Sequence, residues 1–148
     1  MAATLQEILL APDTQPQVVA DCYDLIEQEV SDKSGIAGTA VKLAYKTAAA
    51  VAPGYIRATI ENLLPGFTEK LQPFWTDFAA SGSAEFGDYL TKRSDEVSEA
   101  LLSITDAAAE TSQRSAIVKA YRTVRGGAGR QIEAALPRLG DLVQKYAG

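Results

Sequence analysis

The residues best suited to binding are aromatic and concentrated in the middle of the sequence. Six of the eleven aromatic side chains fall within one stretch, at Phe67, Phe74, Trp75, Phe78, Phe86 and Tyr89. Aromatic side chains can line an apolar pocket or anchor a partner protein. Their helical spacing is also that of core residues, so packing where two halves of the chain meet is the favoured alternative. We treat all six as candidate ligand or interface residues.

A second candidate site is the basic C-terminal part of the chain. From Arg114 onward there are seven basic and two acidic residues, a net charge of +5. Because the whole chain has a net charge of −5, the part before Arg114 has a net charge of −10. Such a face can bind an anion or an acidic partner. Its candidate residues are Lys119, Arg122, Arg125 and Arg130. The negative total charge and the lack of a recognition motif argue against nucleic acid as the partner. We expect this end to face an acidic segment of its own or a neighbouring chain.

A glycine-rich segment lies within the basic part, between Arg125 and Arg130. Backbone amides at a glycine-rich turn before a helix can hold a phosphate group. This segment follows a predicted helix and lacks the lysine of the Walker motif, so neither nucleotide-binding fingerprint is met. The alternative is a glycine-rich end and hinge of a helix.

The residue types that carry most enzyme chemistry are missing. Histidine is absent and Cys22 is the only cysteine. This excludes catalysis by Ser-His-Asp or Cys-His groups and deprives zinc of its usual ligands. No loop has the D-x-D-x-D-G spacing of a calcium site. Cys22 lies on an apolar helical stripe and is interpreted as a small buried hydrophobic residue. We expect no catalytic residues, no metal site and no cofactor.

Helical periodicity dominates the chain, and no alternating β pattern of useful length interrupts it. A capping box at Thr4 and Glu7 predicts a short first helix, Asp13 or Thr14 caps a second, and a third spans about residues 36–52. Later helix ends are predicted at Pro53-Gly54, Pro65-Gly66, Ser81-Gly82-Ser83, Gly126-Gly127 and Leu136-Pro137, and a helix start at Ser94. The sequence therefore predicts an all-α bundle of six to eight helices.

The sequence also contains an internal repeat. Residues 40–47 align with residues 116–123, with four of eight positions identical. After a gap of about one helical turn, Ile60-Glu61 matches Ile132-Glu133 and Leu64-Pro65 matches Leu136-Pro137. Chance similarity between alanine-rich helices is the alternative. We predict two duplicated three-helix units, within residues 13–80 and 83–148, related by a pseudo-twofold axis. A ligand cleft or a dimer face often lies on such an axis.

Length and hydropathy place the chain among single-domain proteins. Its 148 residues form one predicted domain, residues 1–148. The N-terminal segment has no positive region and too short an apolar run for a signal peptide. No apolar stretch is long enough to span a membrane. A single cysteine suits a reducing compartment, so we expect a cytoplasmic location.

Five short strings distributed along the chain are fairly specific as a group. They are residues 29–33 (EVSDK), 73–77 (PFWTD), 86–90 (FGDYL), 93–97 (RSDEV) and 135–140 (ALPRLG). Together they resemble a family of uncharacterised bacterial proteins of about this length, and the resemblance covers most of the chain. It implies one helical cytosolic domain, and it transfers neither an activity nor a site.

These observations lead to three functional hypotheses. The first is a non-enzymatic helical interaction protein, a homodimer or a partner of another protein, using an apolar face and the basic C-terminal face. The second is a carrier that holds a small apolar molecule between the two helical halves, near Trp75. The third is peripheral binding to a membrane surface through the amphipathic segment 41–52.

Overall fold

The computed structural model describes residues 4–32, 35–51 and 54–148, and every regular element in them is a helix. The helices are α1 (Leu5–Leu9), α2 (Gln15–Asp32), α3 (Gly35–Ala49), α4 (Tyr55–Ser81), α5 (Phe86–Lys92), α6 (Ser94–Thr111) and α7 (Ser115–Ala147). The predicted all-α class is therefore confirmed. Lys33, Ser34, Ala52 and Pro53 lie outside the described residues, so the predicted end at Pro53-Gly54 is described only from Gly54.

Several predicted boundaries are confirmed by local geometry. The Thr4 hydroxyl accepts a hydrogen bond from the Glu7 amide at 3.1 Å and caps α1. Gly82 ends α4 in the left-handed conformation, with φ of 76°, which glycine adopts without steric cost. The predicted restart at Ser94 is the first residue of α6.

Three predicted helix ends are wrong, because α4 and α7 continue through them. Pro65 lies inside α4, and the Gly126-Gly127 pair and Pro137 lie inside α7. An interior proline costs about 3 kcal/mol and a glycine about 1 kcal/mol. Burial of neighbouring side chains such as Leu64 and Leu136, at about 1.5–3 kcal/mol each, offsets these losses. The glycine-rich segment is thus neither a phosphate-binding turn nor a helix end.

The two long helices α4 and α7 run in the same direction. At their starts, the Arg114 guanidinium lies 5.2 Å from the centre of the Tyr55 ring. Near their ends, Trp75 and Gln144 both contact Phe86 of α5. In the described part of the chain, α4 and α7 do not pack closely on each other. Instead each of the other described helices packs against both of them. The space between α4 and α7 is therefore bordered by several helices.

The flanking helices α2 and α6 are antiparallel to α7, and ion pairs fix their positions. Lys145 pairs with Asp21 at 2.9 Å, and Arg138 pairs with Glu29 and Asp32 of α2. These contacts agree with the expectation that the basic C-terminal part faces an acidic segment of its own chain.

Each short helix is docked by a glutamine from a long helix. The Leu5 amide donates to Oε1 of Gln72 at 2.7 Å, and the Phe86 amide donates to Oε1 of Gln144 at 3.0 Å. Leu5 and Phe86 are both completely buried. The first backbone N–H groups of a helix have no partner within the helix. Each glutamine therefore accepts the hydrogen bond of a first N–H group that would otherwise be unpaired.

Helices α5 and α7 cross with their backbones in contact. A Cβ atom placed on Gly140 would lie 2.2 Å from the Cα and N atoms of Gly87, and one placed on Gly87 would lie 2.8 Å from the Pro137 carbonyl oxygen. Only glycine at these two positions permits so close an approach. The crossing fixes α5, and with it Phe86, against the end of α7.

No helix among the described residues is both long and apolar enough to cross a membrane.

Candidate functional site

The bundle axis contains an apolar channel of about 430 Å³. The long helices α4 and α7 contribute most of its lining, and α2, α6, Ala48 of α3 and Leu9 of α1 contribute the rest. The α4 wall is one continuous stripe of residues, Tyr55, Ile56, Thr59, Ile60, Leu63, Leu64, Phe67, Thr68 and Leu71. The facing α7 wall is formed by Ile117, Ile132, Ala135, Leu139, Leu142 and Val143. Nearly every lining side chain is aliphatic or aromatic.

The wall that α4 contributes to the channel is long. From Tyr55 to Leu71 it extends about 24 Å, at about 1.5 Å per residue.

The few polar groups in the wall have their own partners. Thr59 donates to the Tyr55 carbonyl oxygen at 2.9 Å, and Thr68 donates to the Pro65 carbonyl oxygen at 2.8 Å. Within the described ranges, no buried side-chain nitrogen or oxygen lacks a hydrogen-bond partner. The interior of the channel therefore presents no unsatisfied polar atom to a bound molecule.

One polar network borders the channel at Thr105. The Thr105 hydroxyl lies 2.7 Å from the hydroxyl of Tyr121, which donates to Asp106 at 2.5 Å. Arg125 donates to both carboxylate oxygens of Asp106, at 2.8 and 3.1 Å. Hydrogen bonds from Arg125 and Tyr121 lower the pKa of Asp106. Burial and the neighbouring carboxylate raise the pKa of Tyr121, so its hydroxyl stays protonated as a donor.

Burial of the lining residues varies along the channel. Leu9, Val18, Leu71 and Val143 are all buried, none being more than 3% exposed. Tyr55, Ala48 and Ile117 are partly exposed, and so are Phe67 and Leu139. The channel is therefore most deeply buried beside α1.

A positive charge lies beside Tyr55, where the α4 wall of the channel begins. The Arg114 guanidinium lies over the Tyr55 ring, and in the part of the chain that the structure describes it forms no ion pair. Arg114 is one helical turn from Ile117, which lines the channel. A cation over an aromatic face is attracted by the ring but stays available to an anion.

The aromatic candidates are divided between the channel and the contact of α4 with α5. Phe67 lines the channel, whereas the other five lie beyond Leu71 or on α5. Trp75, Phe78 and Phe86 have ring centres 5.0–5.4 Å apart, and Tyr89 lies 5.8 Å from Phe78. The Phe74 ring lies under the Arg93 guanidinium at 4.7 Å. We call Trp75, Phe78 and Phe86 the aromatic cluster; it packs between α4 and α5.

The basic candidates do not converge on one site. Lys119 and Arg122 border a shallow surface depression near the start of α7 and, among the described residues, form no ion pair. Arg125 instead binds Asp106, and Arg130 is exposed further along α7. Of the four basic candidates, the structure therefore brings only Lys119 and Arg122 together.

Cys22 lines the channel on the α2 side and is half-buried. Burial, followed by the charge of Asp21, raises the pKa of its thiol to about 11. A thiol with so high a pKa is protonated at neutral pH and is a weak nucleophile. Groups of three or more Cys, Asp or Glu side chains able to hold a metal ion do not occur among the residues described.

A protein family covers nearly all of these elements. The description "Family of unknown function (DUF6918)" applies to the match over residues 5–147, which spans α1 to α7. The chain belongs to DUF6918. No curated protein and no solved structure matches it. The resemblance to an uncharacterised family of about 150 residues is therefore confirmed.

The carrier hypothesis placed an apolar pocket near Trp75, but Trp75 does not line the channel, and most of the lining residues and the network at Thr105 were not singled out from the sequence. The lining aliphatic residues have the same helical spacing as packed core residues, so no sequence signal separates a wall from a filled core. A signal for Tyr121 was present, because it aligns with Tyr45 in the internal repeat. Arg114 was counted in the charge balance but not among the candidate residues.

Proposed function

We propose that this DUF6918 protein is a non-enzymatic carrier that binds a small apolar molecule in the channel along its bundle axis. The supporting observation is an apolar cavity of about 430 Å³ inside a domain of 148 residues. Ligand sites occupy about 300–1,000 Å³, whereas packed cores hold few voids larger than a water molecule.

The chemistry of the lining supports an apolar ligand. Removing apolar surface from water is favourable by about 25 cal/mol per Å². An apolar molecule seated against these aliphatic and aromatic side chains would remove both their surface and its own from water.

We further propose that the channel lies on the pseudo-twofold axis of a duplicated fold. Two pairs of contacts support the duplication. Gln72 binds the first amide of α1 as Gln144 binds that of α5, and these glutamines align in the repeat. Tyr45 donates to Glu27 as Tyr121 donates to Asp106, and these tyrosines also align. On this basis α1 to α4 correspond to α5 to α7, with α3 and α4 together equivalent to α7, and the first unit begins at α1 rather than within residues 13–80.

The experiment is native mass spectrometry of the protein from its own host, compared with the mass after denaturation. We expect an adduct that disappears on denaturation. Ala135→Phe, which places a ring in the channel, should abolish it, whereas Ala134→Phe at the exposed neighbouring position should retain it. Ala48→Phe and Ala49→Phe form a second such pair on α3. Thermal unfolding of each variant checks folding.

A wild-type protein without any adduct that also fails to bind an added apolar dye would overturn the carrier proposal. The same spectra give the number of subunits and so test the homodimer. The interaction-protein hypothesis has less support, because the large hydrophobic side chain that the described residues expose is Leu43 alone, at 63%. Binding to a membrane surface and a cytoplasmic location stay predictions.

A further inference from the structure

The surface of the channel is formed almost wholly by carbon atoms. In the described part of the chain, none of the lining residues has a charged or amide side chain, and the polar ones are three threonines, Tyr55 and Cys22. Tyr55 is partly exposed and lies under the Arg114 guanidinium. Burial raises the pKa of the Cys22 thiol to about 11, so the thiol is protonated, and a thiol is a weak hydrogen-bond donor. Deeper in the channel, a hydrogen bond to a ligand would therefore depend on a threonine hydroxyl.

The hydroxyl protons of these threonines are already used within the protein. Those of Thr59 and Thr68 are donated to backbone carbonyl oxygens of their own helix. Thr105 donates to the Leu102 carbonyl oxygen at 3.1 Å, and its hydroxyl oxygen lies 2.7 Å from that of Tyr121. Tyr121 donates its own proton to a carboxylate. The lining threonines therefore have no proton left to donate to a ligand.

The charged groups that border the channel pair with each other outside its wall. Asp106 and Arg125 lie 2.8 Å apart, and neither of them lines the channel. A polar group of a ligand that is buried without a partner loses its hydration and gains no hydrogen bond in return. The lining therefore favours hydrocarbon and disfavours a hydroxyl, carbonyl or charged group inside the channel.

Resting on the carrier function proposed above, we propose that the channel binds hydrocarbon alone, so that the part of the ligand inside it has no hydrogen-bond donor, no acceptor and no charge. A free hydrocarbon and the hydrocarbon end of an amphiphile whose polar end stays in water share this chemistry.

The first experiment compares three diphenyl compounds by isothermal titration of the full-length protein, freed of any adduct. Diphenylmethane is hydrocarbon throughout, benzophenone has a carbonyl oxygen between its rings, and diphenylmethanol has a hydroxyl there. Binding both rings therefore brings the polar group into the channel. We expect diphenylmethane to bind about ten- to a hundredfold more tightly than either analogue, because an apolar site offers their oxygen no partner. Ala135→Phe should abolish the binding of diphenylmethane, which shows that it binds in the channel.

The second experiment removes a hydroxyl from the wall. Thr105→Val removes the group that joins the wall to Tyr121, and Thr123→Val makes the same change at an exposed position of α7 outside the channel. Neither variant should change the affinity for diphenylmethane or diphenylmethanol by more than about twofold. Para-benzylphenol, with its hydroxyl at the far end of one ring, distinguishes the two sources. Binding as tight as that of diphenylmethane assigns the end of an amphiphile, and weaker binding assigns a free hydrocarbon.

Three results would overturn this inference and leave the carrier function standing, provided that an apolar dye binds and Ala135→Phe blocks it. The first is that benzophenone or diphenylmethanol binds as tightly as diphenylmethane. The second is that Thr105→Val weakens the binding of diphenylmethanol alone, which would make the Thr105 hydroxyl a polar anchor for the ligand. The third is that diphenylmethane does not bind. If neither the dye nor diphenylmethane binds, both proposals fail.

Discussion

Replacing Gly140 with alanine tests whether the close crossing of α5 and α7 is as tight as the structure shows. The new Cβ would lie 2.2 Å from two backbone atoms of Gly87, whereas ordinary contacts begin at 3.4 Å. The two backbones would have to separate by about 1 Å, a gap that removes a quarter to a half of each contact's dispersion energy. Phe86 and Leu90, both completely buried on α5, would lose packing as α5 moves.

The magnitude follows from two opposing effects. Overpacking costs about 1–3 kcal/mol, and here the upper end applies because no side chain can rotate away from a backbone clash. Alanine stabilises a helix interior over glycine by about 0.5–1 kcal/mol. We therefore expect Gly140→Ala to lower the free energy of unfolding by about 2 kcal/mol. At about 2–4 °C per kcal/mol, the melting temperature should fall by roughly 4–8 °C.

Gly127→Ala is the matched control, measured by the same urea and thermal unfolding. It makes the same substitution in the same helix, but its Cβ would meet no atom within 4 Å. It should stabilise the protein by about 0.5–1 kcal/mol. If Gly140→Ala is as stable as Gly127→Ala, the backbone contact between α5 and α7 is not present in solution and the account of this crossing is wrong.

Three further predictions concern other contacts. Hydrogen bonds from Tyr146 and Lys145 lower the pKa of Asp21 below its ordinary value of 3.8, so the unfolded state takes up a proton first as the pH falls. The urea midpoint should therefore drop as the pH falls below about 5, and Asp21→Asn should flatten that dependence; a parallel profile in the variant would contradict it. Because burial raises the pKa of Cys22 to about 11, its thiol should react with a disulfide reagent at pH 8 about a hundredfold more slowly than a free thiol. Reaction at the rate of a free thiol would show that the α2 wall of the channel is open to solvent. Gln72→Ala and Gln144→Ala should each destabilise the protein by about 1–3 kcal/mol, because each leaves a buried amide unpaired. The duplication predicts that the two losses are similar to each other. Gln28→Ala, on the exposed face of α2, is the control and should have little effect.

The features predicted correctly from sequence are those that local chemistry decides. The Thr4 cap and the left-handed Gly82 each depend on a few neighbouring residues, and both occur where the sequence places them. Pro65 and Pro137 were predicted to end helices because a proline removes a hydrogen bond. In the bundle, the apolar side chains on both sides of each proline are buried together. The stabilisation from this tertiary packing exceeds the cost of the hydrogen bond that the proline removes.

The candidate site was less predictable, because it depends on distances between helices. A leucine that lines a channel and a leucine that fills a core occupy the same heptad-like positions, so the sequence could not distinguish them. The separation of α4 and α7 depends on how the other helices pack against both of them, which no local pattern encodes. The repeat nevertheless contained useful information, since it aligns Tyr45 with Tyr121 and Gln72 with Gln144.

The position of Trp75 makes the protein's intrinsic fluorescence a probe of one contact, the one between α4 and α5. It is the only tryptophan, and its ring stands nearly perpendicular to that of Phe86, at 85° and 5.0 Å. Trp75 is absent from the channel wall, so its emission depends on the contact between α4 and α5 rather than on what the channel holds. Tryptophan emission thus follows the docking of α5 onto the bundle, a step that mass and calorimetric measurements of ligand binding do not resolve.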